Sequence, residues 1–290
     1  MIKLKLVVLL IFLVSAHSYA RVFTLLDLKN ESVTNTKEIA SLLNDDSIIL
    51  LGEYHYQKAI IAGQAYLIEE LSSERNAKGN IALAWEFFNY PEQADISRTF
   101  SLFSQNQITF SEFLEPFFPT TAGKENQSYF YRPLFESAKK FEGVFIATNA
   151  PRAWKRIVVS SGVEALEAEK IPAYMRRGSA EYYDRFLEAM GGHGDPEVIE
   201  GYFMAQSYTD AVMADSLIRE SAGLLTFMTV GSFHSDYGHG LGSYLNDSSS
   251  RQMINIKIIS SSMTTADELS ELKSEDSRYG YVADYLLIVD

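Results

Sequence analysis

Short apolar stretches alternate along the chain with longer ones whose apolar residues recur at helical spacing. Ser47 to Gly52 (SIILLG), Asn80 to Glu86 (NIALAWE), Gly143 to Thr148 (GVFIAT) and Leu224 to Gly231 (LLTFMTVG) read as buried strands, with Met253 to Ile259 and Tyr285 to Val289 as final ones. Gln57 to Glu74 puts Ile60, Ile61, Gln64, Leu67, Ile68 and Leu71 on one helical face. Pro91 to Ser104 predicts a helix with proline in its first turn, Arg132 to Phe141 another, and Pro151-Arg152 opens a third. Pro196 to Glu220 reads as a long amphipathic helix, and a short one starts over Leu241 to Leu245. Ile108 to Phe118 is aromatic without a clear period, and Pro119 to Tyr129 is polar and expected to be a surface loop. Residues 161 to 195 read as mixed helical pieces broken by Gly-Gly-His-Gly at 191 to 194. This alternation predicts an α/β fold, with a largely parallel sheet flanked by helices on both faces and a helical insertion. No repeat or Pro/Gly/Ser-rich linker divides residues 21–290, so a single domain is expected there.

The start of the chain has the pattern of a signal peptide. Lys3 and Lys5 precede an unbroken apolar run from Leu6 to Val14, and Ser18-Tyr19-Ala20 supplies small residues for cleavage after Ala20. That run is shorter than the roughly 20 residues a membrane span needs. The expectation is a periplasmic or secreted protein with no span after residues 1–20 are removed. Removal takes the formal charge from −13 to −15, since 23 basic residues then face 38 acidic ones. Such a balance disfavours nucleic acid, whose backbone is itself negative. The absence of cysteine rules out disulfides, thiolate nucleophiles, Cys-ligated metals and Cys-linked lipid.

In open α/β sheets ligands bind beyond the carboxyl ends of the strands. Glu53 and His55 follow the first strand, Glu86 closes the second, Asn149 and Arg152 follow the third, and Gly231 and His234 follow the fourth. In an extended exit from Gly52, Glu53 and His55 face one side and Tyr54 the other. A carboxylate beside an imidazole fixes its tautomer and raises its basicity; the alternative is an incidental surface ion pair. Glu86 stands in the apolar run AWEFF, so it needs a cation or an ion pair, for which Arg152 is a candidate. His234 repeats the Gly-x-x-His spacing of His55. Gln206, Asp210 and Met213 share a helical face, so Asp210 is placed to orient a site histidine, unless it is simply solvated.

These residues lie within LLGEYH (50–55), AWEFF (84–88), FYRPLFESAKKF (130–141), ATNAPR (147–152), QSYTDAVMA (206–214) and GSFHSDYGHGLGSYL (231–245). As an ordered set they resemble the ChaN-like haem-binding proteins of the Tiki/TraB superfamily. The resemblance implies an α/β fold and an exported protein that binds haem or a related iron ligand in haem or iron uptake. It leaves an outer-membrane uptake receptor and a homodimer open as partners. Family members are commonly lipoproteins, from which this chain departs in lacking Cys. They hold haem iron through a tyrosine, for which Tyr54, Tyr56 and Tyr237 are the candidates here. Arg152, Lys58 and Arg132 are candidates for the propionates, with Asn149, Gln206 and Asp210 completing the pocket.

Other members of the superfamily look like metal-dependent peptidases. That resemblance implies His55 and His234 as ligands of a divalent ion such as zinc or manganese, with Glu53 or Glu86 as further ligand or as the base activating water. Whether the chain is an enzyme therefore stays open between a haem carrier and a hydrolase. A third reading gives the polar cluster structural work only.

Overall fold

The computed structural model describes residues 22–191 and 195–290. The expected signal segment and His193 lie outside them. Eight strands form one sheet: β1 Phe23–Asp27, β2 Ser32–Thr34, β3 Ile48–Glu53, β4 Ile81–Asn89, β5 Val144–Asn149, β6 Leu225–Gly231, β7 Met253–Ser260 and β8 Tyr285–Val289, in the order β2-β1-β8-β7-β3-β6-β4-β5. The six strands from β8 to β5 run parallel, while β1 is antiparallel to both β8 and β2. All parallel strands thus end at one edge. β3 lies centrally, with β6 and β7 on either side.

The central strands are apolar on both faces because both faces are covered. On one side, Ile49, Leu51, Leu83, Trp85, Phe227 and Ile256 pack against helices α1 Thr36–Leu42, α2 Lys58–Glu74, α3 Gln93–Ser104, α4 Phe110–Leu114 and α5 Arg132–Lys140. On the other, α6 Arg152–Ser161 and α7 Ala180–Ala189 are followed by α8 Pro196–Glu220. Beyond β6 come α9 Ser232–Ser235 and α10 Leu241–Ser248, and Ile48, Leu50, Ala84, Met228 and Val230 pack against α8 and α10. The expected helical insertion is α7 with the start of α8, closed around Tyr182, Phe186, Ile199 and Phe203. A last helix, α11 Ala266–Lys273, leans on β7 and β8 through Leu269 and Leu272.

The stretch from 108 to 118 hides a single short helix, α4, started by a capping box between Thr109 and Glu112. Its phenylalanines join a cluster around Phe135 and Phe145, whose rings stack 4.4 Å apart. β4 runs past Glu86 to Asn89, and its register with β5 shifts between Trp85 and Asn89. Glu86 therefore lies in an irregular stretch rather than at the strand's last residue, and such irregularities re-aim side chains. Residues 119–126 carry no helix or strand, and residues 127–131 form a 3₁₀ turn leading into α5. Among the described residues no helix is long and apolar enough to cross a membrane.

α2 can lie close on the sheet because Gly63 has no side chain. A β-carbon there would stand 2.8 Å from Val289 Cγ2 and 3.0 Å from Leu287 Cδ2. Gly63→Leu should therefore lower stability by about 1–3 kcal/mol through overpacking, read as a lower urea midpoint. An unchanged or raised midpoint would mean that α2 stands off the strands.

Candidate functional site

At the exit of β3 the backbone delivers Glu53 inward, Tyr54 outward and His55 back toward the sheet edge. Glu53 and Glu86 are buried and Tyr54 is exposed. His55 bridges the two carboxylates, with Nδ1 2.9 Å from Glu53 Oε1 and Nε2 2.9 Å from Glu86 Oε1. Gln64 Nε2 donates to Glu53 Oε2 at 3.0 Å, and the Tyr131 hydroxyl donates to Glu53 Oε1. The Gly231 N–H donates to Glu86 Oε2 at 2.8 Å. Glycine is required there by close approach, since a β-carbon would sit 2.8 Å from His55 Nε2.

These contacts set the charges. Burial alone would lower the pKa of His55, but hydrogen bonds to Glu53 and Glu86 outweigh it and hold the ring up at about 10. Burial likewise pushes the Glu86 carboxyl up; the His55 hydrogen bond, the charges of His234 and His55 and the Gly231 N–H reverse this, leaving it below its ordinary value. For Glu53 burial wins and its carboxyl is raised, despite His55 and Tyr131. The unit is an imidazolium clamped between two carboxylates across β3 and β4. Glu86 therefore pairs with His55, and Arg152, expected as its partner, is exposed on α6 with no hydrogen bond or ion pair among the described residues.

His234 repeats the spacing of His55 but not its conformation, because the chain turns into α9 after Gly231. Its Nδ1 lies 2.6 Å from Asp210 Oδ1 on α8, and the Tyr182 hydroxyl donates to Asp210 Oδ2 at 2.8 Å. Gln206 Nε2 reaches the same hydroxyl at 3.0 Å and His234 Nδ1 at 3.0 Å. Asp210 is thus fully buried and engaged rather than solvated. Burial would lower the His234 pKa, but the Asp210 carboxylate raises it. Asn149 ties the next strand in, donating to the Glu86 carbonyl at 2.6 Å and accepting from Lys155 at 3.2 Å.

The expectation that His55, His234, Glu53 and Glu86 ligate a divalent metal finds no support in this geometry. Both ring nitrogens of His55 already face carboxylates and His234 is held by Asp210. Among the described residues no group of three or more such side chains converges as an ion would require.

The three candidate tyrosines part company. Tyr54 is 55 % exposed and opens onto a cavity of about 820 Å³ shared with Tyr237, Met263 and Leu272, with Glu268, Glu271, Glu275 and Asp276 on the wall. Tyr56, at a left-handed φ of 63°, packs on Phe87 and Tyr131, beside the loop from Pro119 to Ser128. Burial, with Glu86 and Glu53, raises its phenol pKa. Burial raises that of Tyr237 too, against the nearby Arg185 charge. Lys58 lies on the Tyr56 side, over the Phe130 ring and 4.0 Å from Glu125. Arg132 is remote from the clamp's cavity side: it pairs with Glu136 on its own helix, at 3.0 Å, in a separate groove beside Phe110.

Gln64, Tyr131, Tyr182 and Lys155 were missed as parts of the site. Gln64 did leave a signal, a lone amide on an otherwise apolar helix face; the tyrosines left none among 17.

The clamp carries a pH dependence. The folded pKa of His55 lies above its unfolded value of about 6.5, so its stabilisation is fully present below that value and is lost as pH rises through about 10. The gap in urea midpoint between wild type and His55→Gln should therefore shrink steadily from pH 6.5 to 10. A gap of constant size would show that the ring is not held protonated.

The model of the haem-binding uptake family of the Tiki superfamily, ChaN, matches residues 39–245. Among solved structures, the ChaN of Campylobacter jejuni, described for its cofacial haem binding, has a TM-score of 0.68 and 17 % identity, covering 92 % of this chain and 97 % of that one. The type III effector HopBA1 reaches a TM-score of 0.45 at 10 % identity, covering 88 % and 93 %, and a succinoglycan biosynthesis protein 0.41 at 11 %, covering 77 % and 68 %; neither carries weight. No curated protein matches the chain. The family match spans well over half the sequence and coincides with an α/β fold shared with a ChaN, so the chain belongs to the haem-binding uptake (ChaN) family of the Tiki superfamily.

Proposed function

We propose that this protein is an exported carrier in haem or iron uptake and that it holds ferric haem through Tyr54, at the cavity beyond the carboxyl end of β3. The observation that carries this is the contrast among the three tyrosines. Tyr54 alone is exposed at a cavity mouth, whereas burial opposes a phenolate at Tyr56 and Tyr237. A phenolate is a recognised haem ligand, and about 820 Å³ falls within the range of small-ligand pockets. Met263 and Leu272 offer apolar surface to a porphyrin edge, while the four carboxylates of the wall would turn propionates toward solvent. The family match supports haem as the ligand; the cofacial arrangement belongs to the Campylobacter protein, and a titration would read the stoichiometry here.

Ferric hemin added to the purified protein should give a phenolate-to-iron absorption band. Tyr54→Phe should abolish that band and weaken binding roughly tenfold or more, while Tyr56→Phe and Tyr237→Phe retain it. An unaltered spectrum in Tyr54→Phe sinks the assignment. For export, the mature N-terminus in the native host should be Arg21 by mass spectrometry; Met1 would overturn it.

A further inference from the structure

Lys257 is the least expected residue of the sheet. It lies within β7 between Ile256 and Ile258, with its side chain 1 % exposed. A buried ammonium is tolerated only when paired and hydrogen-bonded. Asp236 accepts from its Nζ with both oxygens, at 2.9 and 2.8 Å, and Ser232 Oγ accepts at 3.0 Å. Arg185, also buried, donates to the Asp236 carbonyl at 2.7 Å and stands 4.0 Å from its carboxylate. Two cations share one carboxylate, so the cluster carries a net positive charge, and neither cation belongs to the His55 or His234 networks.

Each cation lies under a tyrosine of the same cavity. Lys257 Nζ is 5.1 Å from the centroid of the Tyr54 ring, and Arg185 Cζ is 4.7 Å from that of Tyr237. The facing wall is acidic, with Glu268, Glu271, Glu275 and Asp276. A tyrosine oxygen that becomes negative on binding iron would be opposed by those carboxylates alone. Lys257 under the Tyr54 ring and Arg185 under the neighbouring Tyr237 ring offset them, in a region where low polarisability makes their charge felt.

We infer that Lys257 is a positioning residue for Tyr54. Its ammonium holds the ring over the cavity by a cation–π contact and favours the negative oxygen that Tyr54 presents to ferric iron. Asp236 fixes Lys257 in place, and Arg185 leaves the cluster its positive excess. A ring already parked in one orientation also loses less freedom on binding. This inference rests on the Tyr54 assignment above.

A purely structural staple between β7 and the 232–236 segment would affect every porphyrin alike, so the test compares ferric hemin with metal-free protoporphyrin IX. The double variant Lys257→Met/Asp236→Asn removes the Lys257–Asp236 pair together and leaves the cluster's net charge on Arg185, which keeps its hydrogen bond to the backbone carbonyl of residue 236, so it reads the Lys257 contact with Tyr54 rather than the net excess. It should shift the phenolate-to-iron band and weaken hemin on the order of tenfold, with metal-free porphyrin binding unchanged; Lys257→Arg should keep the band and near-normal hemin affinity. Arg185→Gln, which preserves the Lys257–Asp236 pair, should weaken hemin selectively in the same direction and serves should the double variant not fold. Equal loss for both porphyrins, or an unchanged band and affinity, overturns the inference while leaving Tyr54 as ligand. Retention of the band in Tyr54→Phe overturns the ligand assignment and this inference with it.

Discussion

Two carboxylates sit in the apolar strands β3 and β4, on either side of β6, and one imidazolium makes that tolerable. Glu53 and Glu86 are 1 % and 6 % exposed, a placement that would drive isolated carboxyls to neutralise. His55 meets both, and Gln64, Tyr131 and the Gly231 amide fill the remaining acceptor positions. Everything at this edge follows from that arrangement. It joins the ends of β3 and β4, draws β6 in through Gly231, and forces the residue between Glu53 and His55 to face outward.

The clamp is one of three ionic units along the carboxyl edge. Beside it, Asp210 is held by Tyr182 and His234 between α7, α8 and α9. On the far side of β3, Lys257 and Arg185 share Asp236. Each unit joins segments distant in sequence, so the edge is held in place by side-chain pairing. A rigid edge suits a binding site, because side chains already in place lose little freedom when a ligand arrives. The proposed haem ligand lies between the first and third units, with a negative network on one side and a positive cluster on the other.

Similarity to the Campylobacter jejuni ChaN at 17 % identity shows how loosely sequence constrains this fold. The sheet needs only apolar alternation on both faces, and many residues satisfy that. The strand ends are more demanding, since each buried charge there requires a particular partner at hydrogen-bond distance.

The α/β alternation, the succession of buried strands along the chain, the 25-residue helix from Pro196 to Glu220 and the placing of Glu53, His55 and His234 beside strand ends were legible in the residues alone, whereas Glu86 lies inside β4 rather than closing it. These rest on local periodicity and on the rule that parallel strands end together. Residues 22–46 and the helix at Ala266–Lys273 carried no legible signal, because strands of five and three residues and short helices show too little period to stand out. Which partner each charge takes is settled by the folded chain: His55 rather than Arg152 for Glu86, Tyr131 and Gln64 for Glu53, Asp236 for Lys257. It also decided which of three nearby tyrosines is exposed at a cavity. Pairing of buried charges depends on distances between segments far apart in the chain, and neither composition nor spacing encodes those distances directly.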